Sequence, residues 1–486
     1  MKRDFFSRHR PPLDARLGDK RLPLLIVELT ARLAQAEPTL AYDSLHLPAE
    51  VWAEVAQVLV EFGEDLHNDI GVWRSFEQLN RRLFGAPLPL TLPPGQSPSL
   101  PDRIAHLLWG LYGELEPDLI LAPTHQDLRR LAAVAAGFLD QHLKNVPQRS
   151  SVKDFLTRRD RYGWDVKGKL VWLGWHSYLF RHSCERYIAE QGGQTSIGRI
   201  DDFVCQQTTR WSGLGALDLL AELLPLSEAE RAQLLSWSQR HLAYYRVTAI
   251  ERNGLTATNL LTGQPYSVRM EAPGDSFAAG SVVLGSLVPW HKQWYWSGTQ
   301  QLLGPVPEAQ LTDLTDGLAR DAAQAVYRYD AARLTQAEQS LARYERRFLA
   351  HFGDDLVVFP DGLTMAAAMQ KFHRQHNEAL LAEGAEVDLA RFGLDSAQPW
   401  MPYPPAIIDN EQGVAVFFNC GEGTELMINF NQVLRALQKN GVGLDEADDE
   451  AIRQLLESPA LSPAFVRRLV KAYGEGSIAA SYLIHE

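Results

Sequence analysis

Apolar residues recur at helical spacing through most of the chain. Leu22, Leu25, Ile26, Leu29 and Leu33 form one stripe and predict a helix over residues 22–36, ended by Pro38. Val51, Val55, Val58, Leu59 and Phe62 form a second, over 48–67, and Val72, Trp73, Phe76, Leu79 and Leu83 continue the pattern. The proline-dense run 87–101 forbids helix and most strand, so it reads as a loop. Helices resume over 102–114, with Ile104, Leu107, Leu108 and Leu111 on one face, and over 124–144. Residues 146–169 break the pattern with many basic side chains, and an aromatic-rich helix follows over 171–191. Ser227 and Glu230 have the spacing of a capping box that opens a helix ending near His241.

The period then shortens from about 3.6 to 2. Tyr244–Ile250, Leu255–Leu261, Tyr266–Met270, Gly280–Val288 and Trp294–Leu303 read as five short strands. Asn253-Gly254 and the run 262–265 supply tight turns between them, which suggests a small barrel or a strongly curved sheet. Helical spacing returns through Leu341, Tyr344, Phe348 and Phe352, with a possible capping box at Thr335 and Glu338. Then come a short strand at 357–359, a helix over 364–383, a proline-rich loop at 399–405 and a buried strand at 414–418. A helix is expected through Leu426, Phe430, Val433, Leu434 and Leu437, and a last one begins at Ser462-Pro463.

The fold class is therefore α+β and predominantly helical. Four regions are expected: a helical unit over 1–145, a basic linker and helical unit over 146–242, a five-stranded barrel-like module over 243–304, and an α+β unit over 305–486. With 486 residues, 45% hydrophobic and 22% charged, the chain is long enough to bury several cores. A net charge of −13 argues for the cytoplasm and against a broad nucleic-acid surface, while leaving room for a local basic patch. Three widely spaced cysteines fit a reducing compartment. Neither a signal peptide nor a membrane span is expected.

Two segments resemble an uncharacterised bacterial family. One is His67–Phe76, with Arg82–Gly85 and Arg103–Trp109 after it; the other is Val414–Phe418 followed by Gly421–Glu425. The likeness extends over most of the chain, including Trp294–Gly298. It implies a helical N-terminal unit and a bacterial cytosolic setting, and it carries no assigned activity and no functional residues.

Several constellations could carry chemistry. His373 and His376, three apart on a predicted helix, could face one metal and serve a metal-dependent hydrolase; the competing reading is a polar face over a Met365/Met369/Phe372 stripe. His176, His182 and Cys184 could pair a nucleophile with a base, and a single helix would bring His176 and Cys184 to one face. The cluster Glu64, Asp65, His67, Asn68 and Asp69 could bind a cation, or simply end a helix. Cys420–Thr424 could greet an anion at a helix start, but it lacks a P-loop lysine. The basic segment 149–169 interleaves Lys153, Arg158, Arg159 and Arg161 with Phe155, Tyr162 and Trp164, as single-stranded nucleic acid requires; a solvated, salt-bridged linker is the alternative. In the β module, Trp290, Trp294 and Trp296 are candidates for a partner surface, with Trp294 and Trp296 on one face and Tyr295 on the other.

The leading functional expectation is a non-enzymatic binding or adaptor protein with a protein partner. The alternatives are an RNA- or ribosome-associated factor using the basic segment and the His373/His376 hydrolase. No cofactor is predicted, and the oligomeric state is left open.

Overall fold

The computed structural model describes residues 9–11, 16–40, 45–92, 95–116, 121–158, 160–273, 276–307, 310–311, 314–315, 331–384, 403–419, 423–439, 445–458 and 461–473. The chain is α+β and mostly helical, and it forms two compact units, Met1–Tyr329 and Asp330–Glu486.

In the first unit, eleven described α-helices precede the strands: α1 (Leu22–Ala36), α2 (Ala49–Asn68), α3 (Val72–Phe84), α4 (Leu100–Leu115), α5 (Gln126–His142), α6 (Ser151–Thr157), α7 (Gly163–Trp175), α8 (Arg181–Glu190), α9 (Ile197–Gln206), α10 (Ala216–Leu223) and α11 (Glu228–Leu235). Leu22, Leu25, Ile26, Leu29 and Leu33 are buried, as their spacing requires. The proline-rich loop gives up its last two residues to α4: Pro101 sits in the first turn, where its fixed φ costs nothing, and Ser99 and Asp102 cap each other. The Ser227–Glu230 box forms as expected.

α2 runs through the middle of the unit, and even its charged residues Glu61, Glu64 and Asp65 are buried. A buried charge needs a partner, and each of these has one. Arg181 pairs with Glu61. Arg10 bridges Glu64 and Asp19, and the Ser150 hydroxyl donates to Glu64 at 2.6 Å. The Asp65 carboxylate accepts from the backbone N–H groups of Gly71 (2.8 Å) and Trp73 (2.7 Å) at the start of α3, and from the Tyr178 hydroxyl (2.7 Å).

The basic break at 146–169 is largely helical. Val152 and Leu156 on α6, and Val166 and Leu170 on α7, are four apart and buried, a stripe too sparse to stand out among the charges. Lys169, 2% exposed, closes the turn between them by donating to the carbonyls of Leu156 (2.9 Å) and Arg158 (2.5 Å) and pairing with Asp160 (2.9 Å). The single helix expected over 171–191 is two. It breaks at 176–180, where Tyr178 turns to reach Asp65, a long-range bond that helical spacing cannot reveal.

The five strands are β1 (Ala243–Glu251), β2 (Gly254–Asn259), β3 (Pro265–Arg269), β4 (Val282–Trp290) and β5 (Gln293–Gly304). They close into a barrel in the order β1-β2-β3-β5-β4, antiparallel throughout except for the parallel contact of Val268 with Trp294. Alternation along β5 holds: Trp294 and Trp296 pack with the barrel interior, against Tyr266 and Tyr245, while Tyr295 faces outward. That outward face is also buried, because Val288, Trp290 and Tyr295 join the core of the helices. The Trp237 indole donates to the Pro289 carbonyl at 2.7 Å across the same contact.

The second unit contains α12 (Ala331–Phe352), β6 (Leu356–Phe359), α13 (Gly362–Ala382), α14 (Pro405–Ile408), β7 (Val414–Asn419), β8 (Gly423–Ile428), α15 (Phe430–Gln438), α16 (Glu446–Glu457) and α17 (Pro463–Tyr473). The sheet order is β6-β7-β8. Val414, Val416 and Phe418 pack with Phe348 and Phe372 on one face, and Ala415 and Phe417 with Phe430 and Phe465 on the other. A strand covered on both faces reads as a continuous apolar run, as β7 does from Val414 to Phe418. The helix expected through Leu426 begins only at Phe430: Leu426 belongs to β8 and pairs with Val416, because the central strand takes a neighbour on each side. No described helix is long and apolar enough to cross a membrane.

Candidate functional site

The basic segment and the barrel meet at the start of α7. Gly163, its first residue, allows the meeting: a Cβ there would lie 2.6 Å from the Tyr295 ring. Trp164 stands edge-on to Tyr295 with centroids 5.4 Å apart, and Tyr162 lies 4.6 Å from Trp164. Two guanidinium groups face Tyr162, Arg161 at 5.1 Å and Arg269, from the end of β3, at 5.4 Å. Asp165 is occupied as the helix cap, accepting from the backbone N–H groups of Arg161 (3.1 Å) and Tyr162 (3.0 Å). Among the described residues, neither Arg161 nor Arg269 has a carboxylate within ion-pair distance. Beside these groups opens a cleft of about 450 Å³, lined by Trp164, Lys167, Arg269, Glu271, Tyr295 and Trp296 among others. That volume suits a small ligand or one residue of a polymer.

Beneath the cleft a polar network fastens the barrel to the helices. Lys167 pairs with Asp201 at 2.5 Å and donates to the Ser297 hydroxyl at 2.8 Å and the Cys205 sulfur at 3.2 Å. Ser297 donates to the second Asp201 oxygen at 2.6 Å, and Arg240 reaches that oxygen at 3.2 Å. Arg240 also pairs with Asp202. Burial pushes the Cys205 thiol up to about 11, against the opposing pull of Lys167, so at neutral pH it is a thiol and a poor nucleophile. Burial also raises the Tyr295 hydroxyl, against the Gly163 N–H and the Arg269 charge. The chemistry on offer is recognition by ring faces and by guanidinium groups that have no acidic partner among the described residues.

Of the residues singled out by sequence, Trp164 and Trp296 line the cleft, and Tyr162 and Arg161 lie beside it, against Trp164 and over the Tyr162 ring respectively. Arg158 is exposed on the same turn, with no acidic partner among the described residues. Arg159 lies outside the described residues. Lys153 is tied to the Asn68 carbonyl at 2.7 Å. Trp290 is 1% exposed, packed edge-on against Trp237, and Trp294 is half-buried against Tyr266, so the module's aromatic residues serve mostly as core rather than as an open surface. Arg269, Glu271 and the Asp201 network had no signal in the sequence; only their positions around the cleft single them out.

The remaining candidates separate. His176 ends α7 and Cys184 is buried in α8, so they do not share a helix face. In the Glu64–Asp69 cluster, His67 donates to the Val146 carbonyl at 2.7 Å and Asp69 pairs with Arg74, while Glu64 and Asp65 hold helices together. Residues 420–422 lie outside the described residues. In the second unit, His373 and His376 both approach Tyr344, and Arg347 lies 3.4 Å from His376 Nδ1. Burial, with His376 nearby, lowers His373 to about 4. Among the described residues no three His, Cys, Asp or Glu side chains gather as a metal would require.

Fold and cleft together define a helical scaffold carrying a closed barrel, with an aromatic and cationic recess at their junction. Residues 49–194 match the model of a family described as Protein of unknown function (DUF3843), with no assigned activity. The match contains His67–Phe76, Arg82–Gly85 and Arg103–Trp109, and with them the helical wall of the cleft; Trp294–Gly298 and Val414–Glu425 lie beyond it. No curated protein and no solved structure matches the chain.

Proposed function

We propose that the first unit is a non-enzymatic binding module whose ligand is single-stranded nucleic acid, RNA foremost. The observation that carries the reading is that Trp164, Trp296 and Arg269 line one cleft, with Tyr162 against Trp164 and the guanidinium groups of Arg161 and Arg269 over the Tyr162 ring. Bases of any sequence stack on aromatic faces, and unpaired guanidinium groups attract phosphates. Buried arginines elsewhere in the unit, Arg10, Arg181 and Arg240, are answered by carboxylates, whereas Arg161 and Arg269 have no carboxylate partner among the described residues.

The barrel supports the reading by analogy. A five-stranded Greek-key barrel is the plan of domains that bind oligonucleotides and oligosaccharides, although fold alone does not decide function. Those domains use the turn between the fourth and fifth strands. Here that turn is pinned to α11, with the Gln233 amide donating to the His291 carbonyl at 2.9 Å and His291 pairing with Glu230 at 3.0 Å. The open recess lies instead at the seam of β3 and β5.

The test is fluorescence anisotropy of labelled, mixed-sequence nonamers, ribo- and deoxyribo-, against the full chain over a salt series. Binding should weaken as salt rises. Arg158→Ala with Arg161→Ala, removing two phosphate contacts, should flatten the log–log slope by about 1.4. Trp164→Ala should cost about tenfold or more in affinity, the loss of one stacked base. Absence of binding at low salt, or binding indifferent to Trp164, would overturn the proposal.

A further inference from the structure

The lining of the cleft includes one guanidinium and one carboxylate, those of Arg269 and Glu271. Arg269 ends β3 and Glu271 follows two residues later, and both line the recess. Among the described residues neither has an ion-pair partner, and they do not pair with each other. Lys167, the other cation of the lining, has its three donors committed to Asp201, Ser297 and Cys205. Of the charged side chains in the lining, what is left to meet the edge of a stacked base is one fork of donors and one pair of acceptor oxygens; the Gln300 amide, also in the lining, donates to the Gly298 carbonyl at 2.6 Å.

We infer that this recess, if it takes nucleic acid as proposed above, prefers guanine. Guanine alone among the common bases offers two adjacent acceptors, O6 and N7, next to two adjacent donors, N1–H and N2–H. An arginine fork meets the first pair in bidentate fashion. A carboxylate, which only accepts, meets the second. Adenine sets a donor beside its N7, so the fork loses one bond. Cytosine and uracil have no N7, and their smaller rings cover less of Trp164. Arg158 and Arg161, outside the recess, remain for the flanking phosphates.

The experiment uses the full chain and labelled uridine nonamers carrying one central guanosine, adenosine, cytidine, inosine or 7-deazaguanosine. A single guanosine avoids self-association of guanine tracts. The guanosine nonamer should bind about tenfold more tightly than the adenosine, cytidine or all-uridine ones, the discrimination expected of a bidentate pair. Inosine, without the N2 amine, and 7-deazaguanosine, without the N7 acceptor, should each lose part of that gain. Glu271→Gln, at an exposed position where folding is not at risk, should bring guanosine and inosine to equal affinity. Equal, salt-dependent binding of all nonamers would overturn the guanine preference while leaving nucleic-acid binding intact. Binding of none would overturn both.

Discussion

Asp201→Asn tests how the barrel is held. The Asp201 side chain is 3% exposed and faces Lys167 and Arg240, which are 16% and 6% exposed. Asparagine has the same shape and can still accept from Ser297, so packing survives and only the charge is lost. Removing one partner of a buried pair leaves the other charge uncompensated, at a cost of about 3–5 kcal/mol. Here the lower end applies, because Arg240 keeps Asp202 and Lys167 keeps some contact with water. A loss of about 3 kcal/mol is therefore expected. Urea unfolding followed by tryptophan fluorescence measures it selectively, since eleven of the twelve tryptophans precede residue 330. Adding Lys167→Met should recover part of the loss by removing a stranded cation. A change below about 1 kcal/mol in the single variant, or no recovery in the double, would refute the claim that this network fastens the barrel.

Three further outcomes follow from the same structure. Gly163→Ala forces the Tyr295 ring to move and should cost about 1–3 kcal/mol, as overpacking does, visible in the same fluorescence transition. Glu64 is a carboxylate that burial alone would raise, but Arg10 and His9 together outweigh burial and hold it below the usual range. Its stabilisation is thus present above about pH 4.5 and lost as pH falls toward its lowered value; Glu64→Gln should destabilise at pH 7 by about 3 kcal/mol, with the gap to the parent closing on acidification. His373, lowered to about 4 by burial, binds a proton more weakly folded than unfolded, so its burial costs stability as pH falls from about 6.5 to about 4. Its ring resonance in an NMR titration, assigned by its loss in His373→Gln, should move with a midpoint near 4; a midpoint near 6.5 would remove the argument.

The elements themselves were legible in the sequence. Leu22–Leu33 has the helical period and forms α1, and the strands around Asn253-Gly254 alternate and close into a barrel. Capping at Ser227 and the apolar run at Val414–Phe418 were equally local, because caps and strand faces depend on residues within one or two turns. Legibility ended where a bond crosses the chain. The break at Tyr178 is set by Asp65, 113 residues away, and β8 is a strand because β7 needs a second neighbour. The candidate site divides in the same way. Tyr162 and Trp164 among arginines could be picked out by residue type, but Arg269, Glu271 and Tyr295 acquire meaning only once the barrel is docked on α7. Periodicity is imposed by the local geometry of helix and strand, so one sequence reveals it. Which cations lack a partner, and which rings border a cavity, depends on groups far apart along the chain, and only the tertiary structure decides it.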